Sequence, residues 1–234
     1  MIKFTHVYKQ YPGVTTYSST DLNFTIKQGE FVYIVGESGM GKTTLLEMMY
    51  GVQAPTKGSV YVNKYQTPLR RKQLPMLRRT LGIVFQDYEA MLNPVWTVNE
   101  NISYAMYVIG HNDDYIQQHL QKLLHAVGLT GKGDKQISQL SGGEQQRVAI
   151  ARAIANNPRV IIADEPTGNL DPKTAEQITR IFEAFNKQGI TVIMATHNDA
   201  IVNKHPHRLI ELDHGRIVRD QENGQYFRQQ AVTV

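Results

Sequence analysis

The chain has 234 residues, of which 41% are hydrophobic and 20% are charged, and this balance is typical of a globular protein with one large domain or one domain carrying an inserted lobe. It contains no cysteine, which excludes disulfides and thiol-ligated metals and fits a reducing cytoplasm. The formal net charge of +4 permits contact with nucleic acid or an anionic membrane surface, and it equally fits an ordinary solvated surface.

The start of the chain carries no membrane-directing pattern. Met1 to Val7 lacks an apolar stretch long enough for a signal sequence. No later segment approaches the roughly 20 apolar residues that span a bilayer. We therefore expect that the chain does not enter a membrane by itself.

The first third of the chain has the pattern of β-strands. Apolar residues alternate at Leu22, Phe24 and Ile26, which predicts a half-buried strand. A turn at residues 28–29 leads into the apolar run Phe31 to Val35, which predicts a strand buried on both faces.

Similar buried strands are predicted further along the chain. Each is a short apolar run flanked by polar residues, and helical stretches separate one run from the next: Leu81 to Phe85, Val160 to Ala163 and Thr191 to Ala195. This alternation of strands and helices predicts an α/β fold with a mainly parallel sheet.

The pattern between Gln86 and Pro158 is helical. An amphipathic stripe follows Asp113-Asp114 and ends at Gly128; its apolar residues are Ile116, Leu120, Leu123, Leu124 and Val127. A second helix is expected to begin near Gly143 and to end at Asn157-Pro158, because proline disfavours a helical conformation in the residue before it. This part of the chain is a candidate helical lobe.

A phosphate-binding loop of the form GxxxxGK(S/T) follows the buried strand Phe31 to Val35 and opens a predicted helix. Its glycines allow backbone N–H groups to crowd an anion, Lys42 can meet the outer phosphates, and the Thr43 hydroxyl can bind magnesium. The alternative is a glycine-rich turn without a ligand. The candidate nucleotide-binding residues are Gly36, Glu37, Ser38, Gly39, Met40, Gly41, Lys42, Thr43 and Thr44.

Two acids stand at the carboxyl end of the predicted strand Val160 to Ala163, where open α/β sheets bind their ligands. Asp164 is the candidate magnesium ligand, and Glu165 is the candidate base for the attacking water. An acidic strand end taken alone is more often a solvated loop, but a phosphate loop in the same sheet favours the catalytic interpretation.

A second glycine-containing helix start lies at Leu140 to Glu144. Isolated, such a string is usually only a helix cap. Because Gln145-Gln146-Arg147 and then the acid pair follow it, we predict a second anion site. Its candidate nucleotide-binding residues are Ser141, Gly142, Gly143 and Glu144.

Polar residues also end two other predicted strands. Gln86 is a candidate sensor of magnesium or water, and His197 is a candidate hydrogen-bond partner of the γ-phosphate. Either residue alone would more often be structural. Tyr11 could stack on adenine, but Tyr8 and Tyr17 are competing candidates and an ordinary packed tyrosine is an equal alternative.

Taken in order, these motifs resemble those of the nucleotide-binding domains of ATP-binding-cassette (ABC) proteins, and the resemblance covers nearly the whole chain. It rests on the phosphate loop, Gln86, Leu140 to Glu144, Asp164-Glu165, Gly168 to Asp171 and His197. Four segments are most similar to the FtsE branch of cell-division ATPases: Leu77 to Asp87, Ala163 to Leu170, Met194 to Asn198 and Gly215 to Asp220.

The resemblance implies a single ABC ATPase domain with a RecA-like P-loop core, an N-terminal antiparallel β-lobe and an inserted helical lobe. The core and β-lobe are then expected at 1–86 and 158–234, and the helical lobe at 87–157. It also implies ATP and Mg²⁺ as ligands and a head-to-tail homodimer. In that dimer, ATP lies between the phosphate loop of one chain and the signature serine and glycines of the other.

The resemblance further implies a peripheral protein on the cytoplasmic face of the bacterial membrane, bound there by an FtsX-like membrane protein. The function would be a mechanical ATPase of cell division and cell-wall remodelling. A lipoprotein-release or peptide- or drug-export ATPase with a transporter permease would share every catalytic residue. The stretch Tyr88 to Val98, which includes Trp96, departs from the FtsE pattern.

A DNA-repair or translation ATPase is a third class, suggested by the basic clusters at residues 70–72 and 78–79. Within the family, repair members insert long coiled coils and translation members carry two cassettes, whereas this chain has one compact cassette. We therefore expect no nucleic-acid partner.

Overall fold

The computed structural model describes residues 1–227, so the last seven residues of the predicted core segment 158–234 lie outside it. A four-stranded antiparallel sheet forms the N-terminal part, in the order β2-β1-β4-β5. Its strands are β1 (Ile2–Lys9), β2 (Ser19–Ile26), β4 (Lys57–Val62) and β5 (Tyr65–Thr67). Burial alternates along β1 and β2, as expected for strands with one face on the core.

Within the described part of the chain, the main sheet has six strands in the order β10-β9-β3-β8-β7-β6. Neighbours from β9 to β6 run parallel, and only β10 is antiparallel to its neighbour. The strands are β3 (Phe31–Val35), β6 (Leu81–Val84), β7 (Val160–Asp164), β8 (Thr191–Thr196), β9 (Arg208–Asp213) and β10 (Arg216–Gln221). The predicted buried strands are all present, although Phe85 lies just beyond the paired residues of β6.

Seven α-helices accompany the two sheets within residues 1–227. They are α1 (Lys42–Met49), α2 (Gln73–Arg78), α3 (Val98–Tyr107), α4 (Asp113–Ala126), α5 (Gly142–Ile154), α6 (Pro172–Lys187) and α7 (Asp199–Lys204). The chain between β6 and β7 carries α3, α4, α5 and two short 3₁₀ turns. None of the helices in this part of the chain is long and apolar enough to cross a bilayer.

All five residues of the predicted apolar stripe are buried. Four of them lie within α4, and the fifth, Val127, directly follows the helix. The Asn112 side chain caps the helix by accepting the N–H of Tyr115 at 3.0 Å. The prediction for the end of α5 was wrong by three residues. Asn157 adopts a left-handed φ of 49°, which is not helical, and α5 ends at Ile154. The helix therefore ends earlier than the effect of Pro158 on the preceding residue predicts.

The main sheet separates two hydrophobic clusters. In β3, Phe31, Tyr33 and Val35 pack on the side of α3 to α6, whereas Val32 and Ile34 pack toward α1 and the antiparallel sheet. Successive side chains of a strand point to opposite faces, so β3 is buried on both sides. Burial of both faces fixes the register of the sheet and hence the positions of the residues that follow its strands.

Candidate nucleotide site

The phosphate loop, Gly36 to Thr43, connects β3 to α1. Gly36, Gly39 and Gly41 have φ values of 147°, 83° and 98°, which glycine adopts far more easily than other residues. A Cβ atom on Gly36 would lie 2.4 Å from the carbonyl oxygen of Leu212, so the loop packs directly on β9. Helix α1 then begins at Lys42, and its unpaired first N–H groups favour an anion at this end.

A cavity of about 330 Å³ lies at the start of α1. It brings together the second half of the phosphate loop and the polar residues predicted at the sheet edge. The lining residues are Ser18, Ser38, Gly39, Gly41, Lys42, Thr43, Thr44, Gln86, Asp164, Glu165 and His197. The convergence follows from topology, because β6, β7 and β8 are parallel neighbours whose carboxyl ends lie at one edge.

Lys42 is 7% exposed and lines this cavity. Its ammonium group donates to the carbonyl oxygens of Gly36 at 2.7 Å and Glu37 at 3.1 Å. It also lies 3.5 Å from Oε1 of Glu165. A nearly buried ammonium needs such partners, and they hold a positive charge where the outer phosphates are expected.

Glu165 is also nearly buried, and its backbone has a left-handed φ of 45° that is unusual for a non-glycine residue. His197 Nδ1 lies 2.7 Å from its Oε1, and the His197 backbone N–H donates to Oε2 at 3.3 Å. If Glu165 is ionised, it can only accept hydrogen bonds, and Nδ1 then donates the ring proton in this contact. The imidazole and Lys42 therefore fix the orientation of the carboxylate.

Asp164 lies at the end of β7 next to the phosphate loop. Its Oδ2 accepts the Thr43 hydroxyl at 3.0 Å, while Oδ1 is buried and has no hydrogen-bond partner within residues 1–227. Burial raises the pKa of Asp164, and the hydrogen bond from Thr43 opposes that rise. A hydroxyl and a carboxylate oxygen that lacks a partner make an oxygen-rich position suited to a hard cation.

Several predicted residues lie outside the phosphate cavity. Gly36, Glu37 and Met40 line a separate cavity of about 390 Å³ beside β9. The Tyr11 hydroxyl bonds to Thr44 at 3.1 Å and Glu47 at 3.3 Å, which places the tyrosine against α1. Its role in stacking on adenine stays a prediction.

The signature segment, Leu140 to Glu144, opens α5 and contributes no residue to the lining of the phosphate cavity. Oε2 of Glu144 accepts the backbone N–H of Ser141 at 2.9 Å and its hydroxyl at 3.0 Å. A Cβ atom on Gly143 would lie 2.5 Å from Cγ2 of Thr174, so glycine permits close packing on α6. Within one chain, the two predicted anion sites are therefore separate.

Two features of this site were not predicted from the sequence. Ser18 lines the phosphate cavity, and the turn between β9 and β10 braces the phosphate loop through Gly215, whose N–H donates to the Met40 carbonyl at 3.2 Å. A Cβ atom on Gly215 would lie 2.4 Å from the Ser18 carbonyl oxygen. The contact partners on Met40 and Ser18 are backbone atoms, so the sequence shows that position 215 is glycine but not what it packs against.

Comparison with known proteins identifies the family of this chain. The ABC transporter family model matches residues 19–168. The cell division ATP-binding protein FtsE of Bacillus subtilis (strain 168) is 46% identical over 228 residues, which cover 97% of this chain and 98% of that protein. FtsE of Escherichia coli (strain K12) is 39% identical over 218 residues, which cover 93% of this chain and 97% of that protein.

Solved structures agree with the fold. The ATP-binding cassette MJ0796, in a dimeric post-hydrolysis state bound to ADP and Pi, matches with a TM-score of 0.84 and 34% identity, covering 97% of this chain and all of that one. CbiO1 of Clostridium perfringens, part of the ABC transporter complex cbiONQ, matches with a TM-score of 0.89 and 30% identity. The match covers 95% of this chain and 88% of that one. The predicted fold class and family are thus confirmed: the chain belongs to the ABC transporter family and, within it, to the FtsE cell-division ATP-binding proteins.

Proposed function

We propose that this chain binds and hydrolyses ATP as the motor subunit of an FtsE/FtsX-like complex in cell division and cell-wall remodelling. The observation that carries hydrolysis is the cluster of Lys42, Glu165 and His197 in the phosphate cavity. Membership of the FtsE group supports the cell-division role. The protein would act at the cytoplasmic face of the membrane, bound there by its integral membrane partner.

Nucleotide binding would begin at the phosphate loop. The outer phosphates of ATP would compete with the Gly36 and Glu37 carbonyls for the N–H groups of Lys42, because an ion pair with phosphate is stronger than a bond to a neutral carbonyl. Movement of Lys42 toward phosphate would also weaken its contact with Glu165. ATP binding and preparation of the base would therefore be coupled.

Glu165 would accept the proton of the attacking water, and His197 would hold the carboxylate in position. With Nδ1–H donated to Glu165, Nε2 of a neutral imidazole is an acceptor and that of an imidazolium is a donor. His197 lines the cavity, so Nε2 is the ring nitrogen that would meet the γ-phosphate while Nδ1 keeps its contact with Glu165.

Mg²⁺ fits the donor set at the end of β7. Thr43 and Asp164 would hold the ion, because the second carboxylate oxygen of Asp164 is buried without a hydrogen-bond partner in the described chain. Gln86, which lines the same cavity, would contribute its amide oxygen directly or through water. When bound, the ion would neutralise charge on the phosphates.

Two copies would pair head to tail, with each ATP between the phosphate loop of one chain and the signature segment of the other. The separation of the two anion sites within one chain supports this arrangement. The pairing closes by two-fold symmetry. Isolation of the intact membrane complex tests the assignment: an FtsX-like protein should co-purify, and a transporter permease in its place would contradict it.

The segment Tyr88 to Val98 is the proposed contact with that membrane partner. It follows Gln86, so its position should respond to loss of the γ-phosphate. Trp96 is half-buried, and its ring centroid lies 5.3 Å from that of Tyr104. Val95 beside it is 73% exposed. An exposed apolar edge next to a packed aromatic ring can receive the apolar face of a partner helix.

Trp96→Ala is expected to leave the fold and the basal ATPase rate within about threefold of the wild type but to abolish co-purification with the membrane partner. Trp96→Phe is the matched control, because it keeps a ring against Tyr104. Circular dichroism and a pull-down from solubilised membranes measure the two effects. Retained partner binding, or an unfolded Trp96→Ala chain, would instead assign Trp96 to the core.

A further inference from the structure

Glu144 carries a negative charge at the start of the signature helix. Besides its two bonds from Ser141, its other carboxylate oxygen, Oε1, contacts the ammonium group of Lys132. These contacts lower the pKa of Glu144 to about 2, with the hydrogen bond from Lys132 as the largest cause and the Ser141 N–H next. Glu144 is therefore ionised at neutral pH, and it acts only as an acceptor.

The Ser141 hydroxyl has one proton, and in this structure Glu144 receives it. In the proposed dimer, Ser141 faces the γ-phosphate of ATP bound by the second copy, where its hydroxyl proton would turn from Glu144 to the phosphate while its backbone N–H stays bonded to Glu144. A carboxylate within 3.0 Å of the serine oxygen would also repel the phosphate. In this chain, Glu144 would therefore oppose the phosphate unless a neighbouring positive charge offset its own.

Lys132 is placed to supply that charge. It lies in the loop between α4 and the 3₁₀ turn that precedes the signature, and its backbone is held by bonds to Leu129 at 3.0 Å and from Lys135 at 3.1 Å. Leu129 is buried, which anchors the loop on the core. Lys135 lies in the same loop, but it is exposed and has no ion pair within residues 1–227. Substitution of Lys135 is therefore a control for the loss of one positive charge from this loop.

We propose that Lys132 is a positioning residue of the shared ATP site: it neutralises Glu144, so that this carboxylate can orient Ser141 without repelling the γ-phosphate on the second copy. The inference rests on the proposed function, in which the signature of one chain meets the nucleotide of the other. Lys132 acts through Glu144 and Ser141 and does not itself take part in the reaction.

The proposal predicts a charge-dependent defect that a second substitution repairs. Lys132→Met should raise the ATP concentration for half-maximal dimer formation about tenfold, measured by light scattering with Glu165→Gln chains. It should raise the KM for ATP of the purified membrane complex similarly. Lys132→Gln should behave alike, and Lys135→Met should stay within about twofold of the parent protein.

Glu144→Gln is the decisive partner substitution. Glutamine caps a helix as glutamate does, so it keeps the geometry at Ser141 but removes the charge. In the Lys132→Met background it should restore both readouts to within about threefold of the parent protein. A merely structural role for Lys132 would lower thermal stability without ATP, and Glu144→Gln would not repair the ATP dependence.

The outcomes separate this inference from the proposed function. If Ser141→Arg blocks dimer formation but Lys132→Met changes neither readout, the role of Lys132 is wrong and the shared site stands. A defect in Lys132→Met that Glu144→Gln fails to repair overturns the proposal as well. If Ser141→Arg has no effect on either readout, the shared site itself is wrong.

Discussion

Glu165→Gln is expected to reduce ATP hydrolysis by about 10²–10⁴-fold while magnesium-ATP still binds. The amide preserves the shape of the side chain and can keep a hydrogen bond with the His197 N–H, but it is not basic enough to take a proton from water. In the wild type, Oε1 of Glu165 lies 3.5 Å from the Lys42 ammonium group. The substitution removes this negative charge and leaves Lys42 free to bind phosphate, so the affinity for nucleotide should not fall. Single-turnover hydrolysis and equilibrium nucleotide binding measure the two effects separately.

Glu183→Gln is a matched control for that variant. Oε1 of Glu183 contacts His205 Nδ1 at 3.1 Å and His207 Nε2 at 3.2 Å, so it is another glutamate held by imidazoles, but it does not line the phosphate cavity. Its substitution should leave hydrolysis within about threefold of the wild type. Near-normal turnover in Glu165→Gln would refute the assignment of Glu165 as the base.

Lys42→Ala should have a different effect, because it removes a charge that binds substrate. A hydrogen bond to a charged group contributes about 1.5–3 kcal/mol, so the affinity for ATP should fall about 10- to 100-fold. Lys42→Met should have the same effect, since it retains the apolar stem and removes only the ammonium group. Titration with a fluorescent ATP analogue measures the loss.

The exposed Lys122 on α4 provides the control for a simple change in net charge. Lys122→Ala should bind nucleotide like the wild type. If Lys42→Ala also kept the wild-type affinity, the phosphate loop would not be the nucleotide site, and the cavity lined by Gln86, Asp164 and His197 would need another ligand.

The residues at the sheet edge were predictable because their positions follow from strand direction. Gln86, Asp164, Glu165 and His197 each follow a buried apolar run, and parallel strands bring their carboxyl ends to one edge. The contact between Glu165 and His197 spans 32 residues, but both strands are short and buried, so their register is strongly constrained.

Other contacts had no comparable signal in the sequence. The Lys132 to Glu144 pair depends on the path of an irregular loop, and no periodicity describes such a path. The end of α5 depends on the left-handed conformation of Asn157, which asparagine permits without requiring. The domain boundaries at 86–87 and 157–158 stay predictions. Buried residues on both sides of each boundary belong to one hydrophobic cluster, so the packing of the core does not mark either boundary.

The most direct test of the shared ATP site is a mixing experiment between two inactive chains. Lys42→Ala removes the phosphate-loop charge, and Ser141→Arg blocks the signature, so either variant alone should lack a competent site. A mixed dimer retains one site built from the intact phosphate loop of one chain and the intact signature of the other. An equimolar mixture should therefore recover measurable ATPase activity, because each mixed dimer carries one of the two sites of the wild-type dimer. A mixture as inactive as its two components, under conditions in which the wild type dimerises and hydrolyses ATP, would contradict the shared site.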